Sequence, residues 1–245
     1  MMLREFRGDL HVHTCLSPCG SNEMLPTAIV KEAKKRNLDL IGICDHNSVE
    51  NVEAVKKAGE KESMSVIGGV EITSREEVHI LGLFDNTEAL QDIKRMIDQN
   101  LRGENDEKAF GEQLIVDETD RITGSNGRLL IGATELSIEE VVDAIHDLEG
   151  LAIASLIDRE SFGILGQLGL IPSGLRLDAL ELSDLAVGRR EKFYREYNFP
   201  FVTSSDAHYL NDIGRSCTSF FMKEVSIEEI RKALRGKDGR RAMIE

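Results

Sequence analysis

Apolar residues recur along the chain at two spacings, and each switch between them marks an element. Leu38 to Cys44 is a nearly continuous apolar run, the kind buried on both faces of a parallel sheet. Val66 to Val70, Leu151 to Leu156, Leu177 to Leu182 and Phe199 to Ser205 read the same way, and Glu77 to Phe84 and Cys217 to Met222 add further strands. Helical spacing fills the gaps. Pro26 to Arg36 puts Ile29, Val30 and Ala33 on one face, and Glu50 to Lys61 suits a second helix. Glu88 to Gln99 aligns Leu90, Ile93, Met96 and Ile97 as a third. Ser137-Ile-Glu-Glu140 has the form of a capping box that opens a helix to about Leu148, and a last helix starts at Ser226. Strands alternating with helices predict βαβ units, a parallel sheet and an α/β fold of about seven core strands, enough for a small or distorted barrel. Residues 86–148, more polar and less regular, read as an elaboration of that core, so 1–245 is expected to form one domain.

The polar residues that interrupt these runs are not scattered. Asp9-Leu-His-Val-His-Thr14 reads as a strand, in which His11 and His13 share a face and Leu10 and Val12 take the other. Asp45 and His46 follow the second strand, Glu71 ends the third, His79 lies in the fourth, and Asp206 and His208 repeat the two-residue spacing after Phe199 to Ser205. In open α/β sheets and barrels, ligands bind at the carboxyl ends of strands, so these groups can converge. Imidazoles mixed with carboxylates suit zinc, iron or manganese better than calcium or magnesium. His146 has no acidic or histidine partner at ligand spacing in its helix, and a solvated or structural role is expected for it.

Composition narrows the function classes. The chain has 245 residues, 41% hydrophobic and 30% charged, as in an ordinary globular enzyme. A net charge of −14 disfavours a broad nucleic-acid or anionic-membrane footprint. No apolar run approaches the length of a membrane span and the first eight residues carry no signal-peptide core, so a cytoplasmic protein is expected. The four cysteines show no zinc-finger spacing, and Cys44 and Cys217 read as plain buried thiols.

The ordered set resembles the PHP family, the polymerase and histidinol phosphatase domains. The matching pieces are Asp9 to Thr14, Cys44-Asp-His-Asn47, Gly69-Val-Glu-Ile-Thr73, His79, and Ser205-Asp-Ala-His208. The resemblance implies a distorted (β/α)7 barrel with two or three divalent transition-metal ions (Zn, Mn or Fe) at the carboxyl ends of its strands. His11, His13, His46, His79, Asp206 and His208 would then be ligands, Glu71 a bridging ligand and catalytic residue, and Asp45 an orienting partner of a ligand histidine. It implies phosphate-ester hydrolysis by a metal-activated hydroxide. No serine nucleophile is needed, so Thr14 and Ser17 read as turn and capping residues. The favoured substrate is a small phosphomonoester or nucleotide, with extended nucleic acid disfavoured by the charge and a short single-stranded oligonucleotide exonuclease as the variant within the class. The alternative is a non-catalytic, regulatory module that only binds metal. Two departures stand out. Cys19 occupies the region where a further ligand usually follows the first strand, and could substitute as thiolate or be a plain loop residue. Leu156 stands where the family often has histidine, leaving a lost metal, a water or Ser155 as alternatives. Arg159, three residues on, could grip a substrate phosphate or pair with Asp158 or Glu160.

Overall fold

The computed structural model describes residues 2–183 and 195–244. Nine strands form one sheet, in the order β11-β10-β1-β2-β3-β4-β7-β8-β9. In chain order they are β1 (Arg4–Val12), β2 (Leu40–Ile43), β3 (Ser65–Thr73), β4 (His79–Phe84), β7 (Leu151–Ala154), β8 (Ala179–Leu182), β9 (Phe201–Thr203), β10 (Thr218–Met222) and β11 (Arg241–Ile244). A bridge between Val12 and Ala207 brings the segment after β9 back to the end of β1, so the seven strands from β1 to β9 nearly close on themselves. The distorted barrel implied by the family resemblance is therefore present. The all-parallel sheet is not. β4 runs antiparallel to both β3 and β7, because five residues, 74 to 78, are too few for a parallel crossover. β10 is an antiparallel addition laid against the first half of β1, and β11 pairs antiparallel with β10.

Alternation along each strand sorts its residues into two layers. Ile41, Ile43, Ile72, Ile80, Ala152, Ala154, Leu180 and Leu182 pack outward against the helices α1 (Pro26–Lys35), α2 (Val52–Lys61), α3 (Thr87–Asn100) and α5 (Ile138–Asp147). Leu40, Cys44, Ile67, Leu81, Leu83, Leu151, Ile153 and Ala179 fill the interior. The helices are built as read, down to the reciprocal capping box of Ser137 and Glu140. Between α3 and α5 come a short helix α4 (Glu107–Phe110) and the hairpin β5 (Leu114–Val116) with β6 (Ile122–Ser125). This segment is stitched onto the carboxyl end of the barrel: Asn51 donates to Leu114 O at 3.0 Å, and Asn47 to Leu130 O and Gly132 O at 2.8 Å.

One strand breaks the alternation. The register of β1 against β2 shifts between Asp9 and Val12, a bulge that turns consecutive residues to one side. Leu10 therefore joins the interior with Cys44, while Val12 packs outward. The expectation that both oppose the histidines fails for Leu10 alone. Beside this bulge, a Cβ at Gly42 would collide with the Leu10 carbonyl. Gly42→Ala is expected to lower the free energy of unfolding by ~1–3 kcal/mol, read as a fall in the denaturant midpoint. An unchanged midpoint would show that β1 can retreat from β2 at no cost.

Candidate metal centre

Each interior row ends in a polar residue at the same end of the barrel. Ile67 leads through Gly69 to Glu71 on β3, and Ile153 leads to Ser155 just after β7. Ala179 leads to Glu181 on β8, and Leu83 and Leu81 lead to His79 on the reversed β4. Beyond its bulge β1 delivers His11 and His13. His46 follows β2, and Asp206 and His208 follow β9. The apolar column is capped by a layer of carboxylates and imidazoles.

Glu71 stands at the centre of that layer, 2% exposed. Its Oε2 lies 3.5 Å from His11 Nε2, 3.4 Å from His13 Nε2 and 3.0 Å from His46 Nδ1, while its Oε1 lies 2.9 Å from His79 Nδ1. The two Nε2 atoms of His11 and His13 are 3.0 Å apart, and Asp206 Oδ1 is 3.4 and 3.2 Å from them. Four donors ~2.1 Å from a common centre would be about 3.4 Å apart in a tetrahedron, close to this spacing. His11, His13, Glu71 and Asp206 thus form one group able to hold an ion, and His46, Glu71 and His79 a second that shares the carboxylate. His13, His46 and His208 form a third, with the His13 and His208 rings stacked at 4.1 Å. Buried polar atoms of these residues lack hydrogen-bond partners: His46 Nδ1, Glu71 Oε2 and His79 Nε2. Such atoms are costly unless something else engages them. Unpaired lone pairs on nitrogen and carboxylate oxygen fit transition-metal ions.

Electrostatics divide the group. Burial alone would raise the Glu71 carboxyl, but His79, His11 and His46 hold it well below the usual carboxylate range. Burial likewise works against a charged His11, yet Glu181, Glu71 and Asp206 push its pKa well above normal. His13 goes the other way, lowered by burial and by the neighbouring His208. A neutral imidazole there keeps a lone pair to donate.

A surrounding shell fixes these side chains. Asp45 does not touch a ring directly. It accepts from Thr14 N and from the hydroxyls of Thr14 and Ser17, at 2.7, 2.8 and 2.7 Å. Ser17 Oγ in turn lies 2.9 Å from His13 Nδ1. Ser17 is the link between Asp45 and an imidazole rather than a turn residue alone. Glu181, 0% exposed and passed over in the sequence reading, lies 3.0 Å from His11 Nδ1. Ser155 Oγ is 3.1 Å from both Glu71 and Glu181. A glutamate inside a run otherwise read as fully apolar was the available signal. Asp9, also passed over, accepts from Ser205 N, Ser205 Oγ and Gly214 N at 3.0, 2.5 and 2.8 Å, which anchors the loop carrying Asp206 and His208.

The remaining candidates sit around a cavity of about 210 Å³ that opens onto the cluster. Cys19 is in it: burial would raise its thiol, but His208 and His46 hold it at about 7. Leu156 forms part of the wall and offers no donor. Arg159 pairs with neither Asp158 nor Glu160. Its Nη1 donates to Asp206 Oδ2 at 2.9 Å, and Asp158 instead accepts from Ser183 N at 2.8 Å. His146 is far from this end; it meets Asp178 at 3.0 Å, a partner from another strand connection that helix spacing could not show. Cys44 and Cys217 are buried, as expected.

The family described as PHP domain matches residues 9–177, and the family described as PHP-associated matches residues 186–238. Among curated proteins, a 5'-3' exoribonuclease of Haemophilus influenzae is 31% identical over 83 residues, 32% of this chain and 29% of that protein. A phosphoribosyl 1,2-cyclic phosphate 1,2-diphosphodiesterase of Eggerthella lenta is 30% identical over 80 residues, 31% of this chain and 29% of that protein. The matches therefore span under a third of either relative. Among solved structures, the lesion-specific endonuclease PfuEndoQ of Pyrococcus furiosus superposes with a TM-score of 0.74 at 21% identity, over 98% of this chain and 58% of that one. Endonuclease Q bound to a 27-mer duplex with an abasic lesion gives 0.72 at 21% identity, over 97% and 58%. At these identities the likeness is one of fold.

Asp9 generates a pH test. Burial, only partly opposed by its hydrogen bonds, pushes its carboxyl from 3.8 up to about 6. The folded state therefore holds the proton more tightly than the unfolded chain, and the stability linked to Asp9 is full below pH 3.8 and lost as pH rises through about 6. Relative to Asp9→Asn, which does not titrate, the wild type should lose ~2–3 kcal/mol across that window. Parallel stability curves for the two proteins would exclude the assignment.

Proposed function

The chain belongs to the PHP domain family, and from that premise we propose that it is a metal-dependent phosphoesterase acting on a small phosphomonoester or nucleotide. The observation that carries this reading is Glu71, a carboxylate shared by two groups of one buried cluster, with Oε2 within 3.5 Å of His11, His13 and His46 and Oε1 2.9 Å from His79. In this reading His11, His13, Glu71 and Asp206 hold one ion, His46, Glu71 and His79 a second, and His208 with His46 or His13 a third, with Cys19 beside it. Bound ions of this kind acidify water and clamp the attacking and leaving oxygens of an in-line displacement.

The chain's own residues supply positioning. Glu181 and the Asp45–Ser17 pair fix the two imidazoles of β1 through their outer nitrogens, which leaves both Nε2 atoms for the ions. Arg159, 53% exposed at the cavity mouth, keeps further N–H groups for non-bridging phosphate oxygens while Asp206 holds one. Phe162 stacks on His79 at 4.5 Å and, with Ile131 and Leu156, makes the wall apolar where a leaving group would rest. The clustered donor groups, present even with Leu156 in place of a histidine, argue against a module that has lost its metal. A cavity of about 210 Å³ admits a phosphoryl group and part of its ester, which favours a small substrate or the end of a strand. The exoribonuclease relative supports the second variant, a short single-stranded oligonucleotide as substrate. The net charge of −14 still argues against an extended duplex.

Two outcomes test this. Protein purified without chelator should contain zinc, manganese or iron and turn over phosphomonoesters, and Glu71→Gln should lose metal and at least a hundredfold in kcat/KM, since a shared ligand is removed. A metal-free wild type whose stability ignores all three ions would refute the reading. Arg159→Ala should retain its metal and lose about ten- to a hundredfold in kcat/KM, the worth of one charge-assisted contact, with lysine rescuing only partly. Wild-type kinetics from Arg159→Ala would reduce that residue to an ion pair with Asp206.

A further inference from the structure

Two buried asparagines stand between the histidine cluster and the segment inserted between α3 and α5. Asn47 and Asn51 are 1% and 0% exposed. On the segment side, the Asn47 amide donates to Leu130 O and Gly132 O, both at 2.8 Å. On the cluster side, its carbonyl oxygen accepts from Thr73 N at 3.1 Å, two residues beyond Glu71. The backbone continues the tie, with Asn47 N on Glu71 O at 2.9 Å and Glu71 N on Asp45 O at 3.0 Å. Asn51 is divided in the same way. Its oxygen accepts from Val116 N, and its amide donates to Leu114 O and to Thr14 Oγ1, each at 3.0 Å. Thr14 leads on to the cluster: its hydroxyl donates to Asp45, and so does the hydroxyl of Ser17. The Ser17 oxygen is then left to accept from His13 Nδ1. An unbroken line of hydrogen bonds thus joins Val116 to His13, and a shorter one joins Leu130 and Gly132 to the strand that carries Glu71. Ile131, between those two carbonyls, is part of the wall of the cavity over the cluster.

We propose that Asn47 and Asn51 are positioning residues through which the segment 113–132 and a bound ion hold each other in place. The inference rests on the metal-dependent reading and gives the inserted segment a part in it. A side-chain amide is one rigid plane, so its donors and its acceptor move together. Lifting Leu130 and Gly132 away frees the Asn47 amide to turn from Thr73, and lifting Leu114 and Val116 frees Asn51 to release Thr14. The unseated chain then holds Glu71 and His13 less firmly and binds an ion more weakly, as when any group that orients a ligand is lost. Such coupling is reciprocal: an ion that fixes Glu71 and His13 tightens the segment by the same factor. The backbone of Asn47 favours this residue type, since its φ of 49° lies in the left-handed region that asparagine enters more readily than most side chains. Seating the segment also sets Ile131, so the ion-loaded form is the one whose apolar wall is complete.

The test compares metal-free with zinc-loaded protein by amide hydrogen exchange. Zinc should slow exchange across 113–132, the amides of Val116 and Leu130 included, by about tenfold, the size of an ordinary coupling between sites. The slowing should exceed any change in the helix Ile227–Leu234, which serves as the internal reference. The double variant Asn47→Gly/Asn51→Ala removes both amides, and glycine keeps the left-handed backbone at 47 unstrained. Its zinc Kd, measured by calorimetry, should rise by the same factor, and its segment should exchange at a rate that zinc no longer alters. Wild-type exchange that ignores bound zinc would overturn the coupling without recourse to any variant. Faster exchange in the double variant with an unchanged zinc Kd would also overturn it, and would leave the asparagines as structural clips. A wild type that binds none of zinc, manganese or iron would bring down the metal reading and the coupling together, whereas zinc bound without protection removes the coupling alone.

Discussion

Three carboxylates, Glu71, Glu181 and Asp206, each lie within 3.5 Å of a nitrogen of the His11 ring at one end of the barrel, all nearly inaccessible to water. Isolated buried charges of that kind would be prohibitive. The rest of the architecture serves to make this arrangement tolerable. Four imidazoles reach Glu71 from three strand ends, Ser155 sits between Glu71 and Glu181, and Arg159 covers Asp206 from the solvent side. The seven-stranded ring is what brings contributors so distant in sequence to one spot. Its apolar interior holds the polar layer at a fixed height.

Two irregularities make that layer possible. The bulge in β1 lets Leu10 fill the interior while His11 still points into the site, so the first strand supplies both packing and site histidines without a gap. The reversal of β4 places the first residue of that strand, rather than its last, at the functional end. His79 is consequently level with Thr73 in the hairpin register and directly beside Glu71 in space.

Much of this was legible in the chain alone, for identifiable reasons. The strands and helices follow from period, and the histidines are rare enough that their positions at strand ends carry information. What escaped were relations that period does not encode. The direction of β4 depends on loop length rather than on its apolar run. Glu181 was hidden because a buried run looks continuous unless each polar member is questioned. Asp9 was visible in its motif, but its partners lie about two hundred residues away in the loop at Ser205 and Gly214. Arg159 was assigned sequence neighbours as its alternative partners, whereas the fold brings it Asp206 from another strand. Local patterns identify who can do chemistry, and closure of the ring decides who meets whom.

The reversed β4 also bears on the order in which the site assembles. Glu71 and His79 are eight residues apart, so a hairpin of low contact order joins them. Asp206 meets His11 only when the end of β9 returns to β1, across most of the chain. Closing so long a loop before its contacts exist is the slow kind of event. Glu71 and the first imidazole it meets can thus be paired on the nascent chain while the other half of the cluster is still being synthesised. The complete cluster then becomes a property of the closed ring alone, and an ion that requires every donor would act as a clasp between β1 and the segment after β9.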